Sequence, residues 1–345
     1  MDLTIGLFAS FAQTRTSASL PLGMPFSTWL NLFYNRRKVR SALPFKPLSS
    51  LADGRAAPGS LSAPILGRSN GLDAAPRHYI PLPKNQRFVG RKTTLDKLQD
   101  ILFTQPSQRV AVVGLGGVGK TQVALRVAYH TKESMPGFSV IWLPALSDES
   151  FEQACAEIAR KFAIQKTADD EDPRETVRQH LSSETAGKWL LIVDNADDAE
   201  LLFGRPGKPG GINEYLPSSE EGLVLFTTRS QEIAVSVAGP DVVNLDEMDP
   251  QEAKELWEEL LIRKDPLRNE ALTTKLLREL TYLPLAISQA AAYINIKKVP
   301  IAEYLELLHG TEQDVIGLIS KEFPDNTRYP GLKNAVVTTW LVSFN

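Results

Sequence analysis

The chain has 345 residues, 43% of them hydrophobic, and its 38 Lys and Arg against 41 Asp and Glu leave a formal charge of −3. That length can hold two domains around a folded core, and the near-balanced charge gives no general reason to expect nucleic acid or an anionic membrane as a partner. One cysteine, Cys155, excludes an intrachain disulfide and a cysteine-built zinc site, and no apolar run reaches the ~18–20 residues that span a bilayer. The chain reads as soluble and cytoplasmic.

Residues 1–78 come first. Between Leu3 and Ala52 there is no acidic residue, and "NRRKVR" (Asn35 to Arg40) is strongly basic. Acid-poor, Arg- and Ser-rich N-termini can be organelle transit peptides; separately, the segment lacks the basic start and small-residue cleavage pattern of a secretory signal. The expectation is a disordered or low-complexity leader, set apart from the fold.

The first strong element is "RVAVVG" (Arg109 to Gly114), a β-branched run suited to a buried parallel strand. It runs into Gly114, Leu115, Gly116, Gly117, Val118, Gly119, Lys120 and Thr121, which satisfy GxxxxGK[ST], with Gln122 following. "KTQVALRVAYHTK" then puts Val123, Ala124, Val127 and Ala128 on one helical face. Glycines let backbone N–H groups close around phosphate oxygens, and the helix N-terminus adds a favourable dipole. Lys120 would reach the β- and γ-phosphates, and the Thr121 hydroxyl would help hold Mg²⁺. Strand, glycine loop and helix stand in the order a phosphate cradle requires.

Next come a predicted strand, "FSVIWLPA" (Phe138 to Ala145), and a helix, "DESFEQACAEIARKFA", with Asp148 near its start and Cys155 as a buried structural thiol. "GKWLLIVDNADD" (Gly187 to Asp198) is an apolar strand ending in Asp194, whose carboxylate would emerge at the sheet edge where α/β sheets bind ligands. Asp194 is the expected magnesium-side residue. Asn195 follows where an active ATPase often has a second carboxylate, and an amide can orient water but cannot take its proton. Asp197 and Asp198 are either substitutes for that carboxylate or turn and cap residues. "GLVLFTTRS" (Gly222 to Ser230) ends in Arg229, placed to sense a γ-phosphate. "DVVNLDEM" (Asp241 to Met248) is the last predicted strand.

Beyond Met248 the pattern turns helical. "DPQEA" reads as a helix start with Asp249 as cap, Pro250 first and Glu252 three residues after the cap. In "YLPLAI" (Tyr282 to Ile287), Pro284 breaks an apolar helical run. The predicted fold class is α/β: a P-loop NTPase three-layer parallel sheet followed by a helical subdomain. The expected divisions are a leader (1–78), a nucleotide-binding α/β domain (79–248), a helical subdomain (249–312) and a linker (313–345) toward an absent winged-helix domain.

In order, "RFVGR" (Arg87 to Arg91), "GLGGVGKT", "WLLIVDNADD", "LFTTRS" and "YLPLAI" resemble the NB-ARC module of signal-transduction ATPases with numerous domains (STAND), most of all the fungal NOD-like receptors. The resemblance covers about residues 79 to 345. It implies that Val89 and Arg91 flank the adenine, that Pro284 packs against adenine or ribose, and that Arg229 is the first sensor. It further implies ADP at rest, exchange for ATP with Mg²⁺, and homo-oligomerisation in the ATP state. Asn195 departs from the Asp of many relatives, and no "MHD"-type histidine motif is present; His309 reads as a solvated cap-region residue.

The leading reading is an ADP/ATP-binding switch with slow or absent hydrolysis. The alternative is a turnover ATPase of the broader AAA+ class, which would want a carboxylate beside Asp194 and an arginine finger. A DNA-binding regulator rests on "NRRKVR" alone, so nucleic acid is not an expected partner, and neither is a membrane. Adenine is favoured over guanine by the resemblance, since no [NT]KxD follows the Asp194 strand.

Overall fold

The computed structural model describes residues 75–104, 107–165, 171–205, 210–309 and Tyr329. The leader up to residue 74, including "NRRKVR", and all of 310–345 except Tyr329 lie outside the described residues. Among the described residues, six parallel strands form one sheet: β1 (His78–Tyr79), β2 (Arg109–Val113), β3 (Phe138–Pro144), β4 (Lys188–Asp194), β5 (Gly222–Thr228) and β6 (Val242–Asn244). Their spatial order is β1-β3-β4-β5-β2-β6, so β5 lies between the glycine-loop strand β2 and the Asp194 strand β4.

Strand periodicity of two sorts the side chains onto the two faces. Val110, Val112, Val140, Trp142, Leu190, Ile192, Leu223 and Leu225 face one core. Ala111, Val113, Ile141, Leu143, Leu191, Val193, Val224 and Phe226 face the other. The first face carries α1 (Lys92–Gln99) and α2 (Lys120–Ser134); the second carries α3 (Asp148–Lys161), α4 (Pro173–Ser182), the short α5 (Ala199–Phe203) and α6 (Gln231–Ala238). The predicted three-layer α/β sheet is therefore what folds, and both faces are covered, as the unbroken apolar runs of parallel strands require. Cys155 on α3 is buried, and desolvation pushes its thiol up to about 12, as a structural thiol should behave.

Among the described residues, four more α-helices follow the sheet: α7 (Pro250–Leu260), α8 (Glu270–Glu279), α9 (Pro284–Lys297) and α10 (Ile301–Leu308). Their buried Trp257, Leu276, Ile287 and Leu305 join the same core as α2, so the helices continue the first face. The break at "YLPLAI" is a change of helix. Thr281 and Tyr282 take left-handed conformations (φ 50 and 55) that end α8, and Pro284 opens α9 at its first turn.

Local expectations shift in two places, at the end of β6 and at Glu252. The strand expected to reach Met248 stops at Asn244: beyond it Leu245 N–H still donates to the sheet, at Val113 O (2.7 Å), but Met248 N–H donates to Tyr282 O instead. The cap of α3 is Ser147, which with Ser150 forms a reciprocal capping box. Asp249 does cap α7, accepting from the N–H groups of Gln251 and Glu252, both at 2.8 Å. Glu252 does not complete a capping box: its carboxylate accepts instead from the Arg91 N–H at 2.5 Å. A single cap of this kind contributes about 1 kcal/mol, so Asp249→Ala should lower the thermal midpoint by roughly 2–4 °C in a calorimetric scan.

Candidate nucleotide-binding site

The loop from Gly114 to Gly119 joins β2 to α2, and its glycines are required for different reasons. Gly119 has φ 101 with nothing within 4 Å of an added Cβ, so its need is conformational. Gly114 is steric: a Cβ there would lie 2.2 Å from the Leu245 carbonyl oxygen. Gly116 and Val118 are buried inside the loop. Lys120 folds across it, its Nζ donating at 2.9 Å to the carbonyls of both Gly114 and Leu115. Gln122 accepts from Asn85 Nδ2 at 2.8 Å, which ties the start of α2 to the segment before α1.

Asp194 has the same strand parity as Leu190 and Ile192, so it emerges on the face that carries α2. It is fully buried and accepts from Thr121 Oγ1 (3.0 and 3.3 Å to its two oxygens) and Thr227 Oγ1 (2.6 Å). Desolvation pushes its carboxyl above the usual range; hydrogen bonds from Thr227, Thr121 and Tyr329 and the Lys120 charge pull the other way. The Thr121 hydroxyl and the Asp194 carboxylate are hard oxygen donors beside a helix N-terminus. Among the described residues, no three His, Cys, Asp or Glu side chains converge on one point. A magnesium ion is commonly held by one or two carboxylates together with nucleotide phosphates, so the residues present fit such a group.

Asn195 takes the left-handed conformation (φ 65) that asparagine tolerates, and its N–H donates to Thr227 Oγ1 at 2.9 Å. The following turn assigns both remaining acids. Asp198 caps α5 through the N–H groups of Glu200 and Leu201. Asp197 accepts from the Arg229 N–H (2.7 Å) and pairs with the Arg229 guanidinium (Nε–Oδ2 2.8 Å). Arg229 at the end of β5 is thus anchored by the turn after β4.

Arg91 is buried, with φ 62, next to half-buried Val89. Its guanidinium donates to Val118 O (3.0 Å) and Glu247 O (3.1 Å), joining the "FVGR" segment to the glycine loop and to the approach to α7. Desolvation lowers its pKa, and Glu252 and three neighbouring acids oppose that. Pro284 opens α9, and the next N–H, that of Leu285, donates to Gly117 O at 3.2 Å. A Cβ on Gly117 would sit 2.9 Å from Leu285 Cβ, so α9 abuts the loop directly.

The sequence reading named Asp194, Thr121 and Lys120 but missed Thr227, Leu245, Leu285, Trp142 and Tyr329, all of which touch the site or its frame. Strand parity in "GLVLFTT" could have found Thr227, which shares a face with Leu223 and Leu225.

Residues 91–266 match the NB-ARC domain family. A nucleotide-binding leucine-rich repeat (NLR)-like protein of the fungus Hyaloscypha variabilis is 40% identical over 279 residues, which is 77% of this chain and 28% of that protein. The transcription activator GutR of Bacillus subtilis is 26% identical over 275 residues, 70% of this chain and 31% of its own length. This chain therefore spans under a third of the length of these relatives. Among solved structures, a signal transduction ATPase with numerous domains from Pyrococcus horikoshii, which has a tetratricopeptide repeat sensor, shares 17% identity. That match covers 76% of this chain and 40% of that one, with a TM-score of 0.38. The matched segment begins at Arg91, takes in the glycine loop, Asp194 and Arg229, and runs past Glu252 into the helices: the chain belongs to the NB-ARC domain family.

Proposed function

We propose that the chain is an NB-ARC nucleotide switch that holds ADP, or ATP with Mg²⁺, between the sheet and the helices α7–α10 and hydrolyses slowly if at all. The observation that carries this reading is the Leu285 N–H to Gly117 O bond. It puts the first turn of α9 on the phosphate loop itself, so whatever fills the loop bears on the helices. A nucleotide then shifts the arrangement by its differential affinity for the two forms.

In this proposal Lys120 and the loop N–H groups take the phosphates, while Thr121 and Asp194 stand at the metal side. Val89, Arg91 and Pro284 border the adenine, and Arg229 senses the γ-phosphate. Slow hydrolysis is supported by Asn195, which cannot accept a proton, and by Asp197 being committed to Arg229. The proposed units are residues 79–248 and 249–312, with 313–345 as a linker, working in the cytoplasm and assembling as homo-oligomers in the ATP state.

The test is the nucleotide retained by the purified chain, released by denaturation and separated by chromatography. Stoichiometric ADP is the expected result. An empty protein that turns over ATP faster than about 1 per second, a rate ordinary for enzymes, would instead establish the turnover ATPase. Asp197→Asn should alter stability by less than about 1 kcal/mol, since its ion pair is partly exposed. It should nonetheless change the ratio of ATP to ADP affinity several-fold by removing the Arg229–Asp197 ion pair, as competition binding would reveal.

A further inference from the structure

Gly90 and Arg91 are consecutive residues with left-handed backbone, at φ 69 and 62. A residue with a long side chain keeps that conformation only where its surroundings fix it. For Arg91 the fixing is visible. Its N–H donates to Glu252 Oε1 at 2.5 Å, and its carbonyl accepts from Leu95 N–H at 2.9 Å as α1 begins. Its guanidinium donates to Glu247 O and to Val118 O. Two of these bonds run to residues 247–252, where α7 starts. Glu252 also fills the direction in which Gly90 could carry a side chain: an added Cβ would lie 2.7 Å from its Cδ and 2.8 Å from its Oε1. The Asp249 cap sets the first turn of α7 and so the place of that carboxylate. A carboxylate accepting a backbone N–H is one of the stronger hydrogen bonds.

We propose that Glu252 is a positioning residue for the nucleoside end of the ligand. The glycine loop touches two segments outside the sheet: Arg91 at Val118 O, and the start of α9 at Gly117 O. With the phosphates in the loop, base and ribose leave it between these two contacts. Glu252 acts through the Gly90–Arg91 turn, which it holds against Val118 as one wall of that exit. It therefore favours a nucleoside diphosphate over a bare phosphate chain at the same loop, and it makes the wall part of α7. This inference rests on the nucleotide-site reading above.

The experiment measures ADP and inorganic pyrophosphate affinities of the full chain by titration calorimetry, after any retained nucleotide has been removed. Glu252→Ala should weaken ADP about tenfold, the effect of one hydrogen bond to a charged group, while pyrophosphate changes less than about twofold. Glu252→Gln should stay near the parent, because its amide oxygen still accepts the Arg91 N–H. Gly90→Ala approaches the same contact from the other side. Its methyl pushes the carboxylate away, so its loss of ADP affinity should shrink once residue 252 is already alanine. Unchanged ADP affinity in Glu252→Ala, equal losses for ADP and pyrophosphate, or equal Gly90→Ala losses in both backgrounds would overturn the role of Glu252 and leave the switch standing. A parent chain that binds neither ADP nor pyrophosphate would bring down the switch and this inference together.

Discussion

Lys120→Ala lowers ATP affinity about a hundredfold while the fold persists. The ammonium now donates to two loop carbonyls, Gly114 O and Leu115 O, at 2.9 Å, which holds it over the mouth of the loop where phosphate oxygens would lie. Charge-assisted bonds of this type contribute about 1.5–3 kcal/mol each, and losing one or two of them accounts for the expected factor. The side chain is only partly buried, so its removal leaves no core cavity, and circular dichroism and the thermal midpoint should be nearly unchanged. Titration calorimetry reads the affinity, and a variant that binds ATP as tightly as the parent would remove Lys120 from the site.

Gly114→Ala should be the most damaging single-methyl change in the loop. The new Cβ would lie 2.2 Å from the Leu245 carbonyl oxygen, and that carbonyl cannot yield freely. Leu245 N–H is bonded to Val113 O at 2.7 Å, and Gly114 N–H reaches Thr228 O at 3.3 Å. Overpacking against fixed backbone typically destabilises by up to about 3 kcal/mol, which for a protein of this size lowers the midpoint by roughly 6–12 °C. Gly119→Ala provides the contrast: no atom lies within 4 Å of its Cβ, and only the left-handed backbone is strained, at about 1–2 kcal/mol. Differential scanning calorimetry of the two variants would separate steric from conformational need. Equal losses would show that the Leu245 contact is not what demands glycine at 114.

These contrasts explain what could be read before the fold was known. Lys120, Thr121 and Asp194 were legible because their chemistry is local: a glycine loop before a helix, and an acid ending an apolar strand. The β2–α2 unit and the positions of β2 to β5 were legible for the same reason, through runs whose period matches one element, whereas the two-residue β1 (His78–Tyr79) begins inside the expected leader. What escaped depends on which strands become neighbours. Nothing near Asp197 distinguishes a catalytic acid from a tether; the decision is made by Arg229, which only the β4–β5 pairing brings alongside. Glu252 has the spacing of a capping box, yet the Arg91 N–H, far away in sequence, wins its carboxylate. "DVVNLDEM" carries strand-like residues to its end, but beyond Asn244 the chain gives up pairing and lays Leu245 over Gly114. The Tyr329 contact has no local signature at all.

The position of β2 in the sheet has a consequence for how the protein is made. Among the described residues, the strand partners of 109–113 are β5 and the stretch 241–245, and such distant parallel pairings close slowly and late. A chain that emerges from its N-terminus therefore displays the whole glycine motif long before it owns a phosphate cradle, since the strand beneath the loop has nothing on either side until β5 and β6 arrive. Any product cut short before Gly222 would carry the whole glycine motif without either strand that frames it.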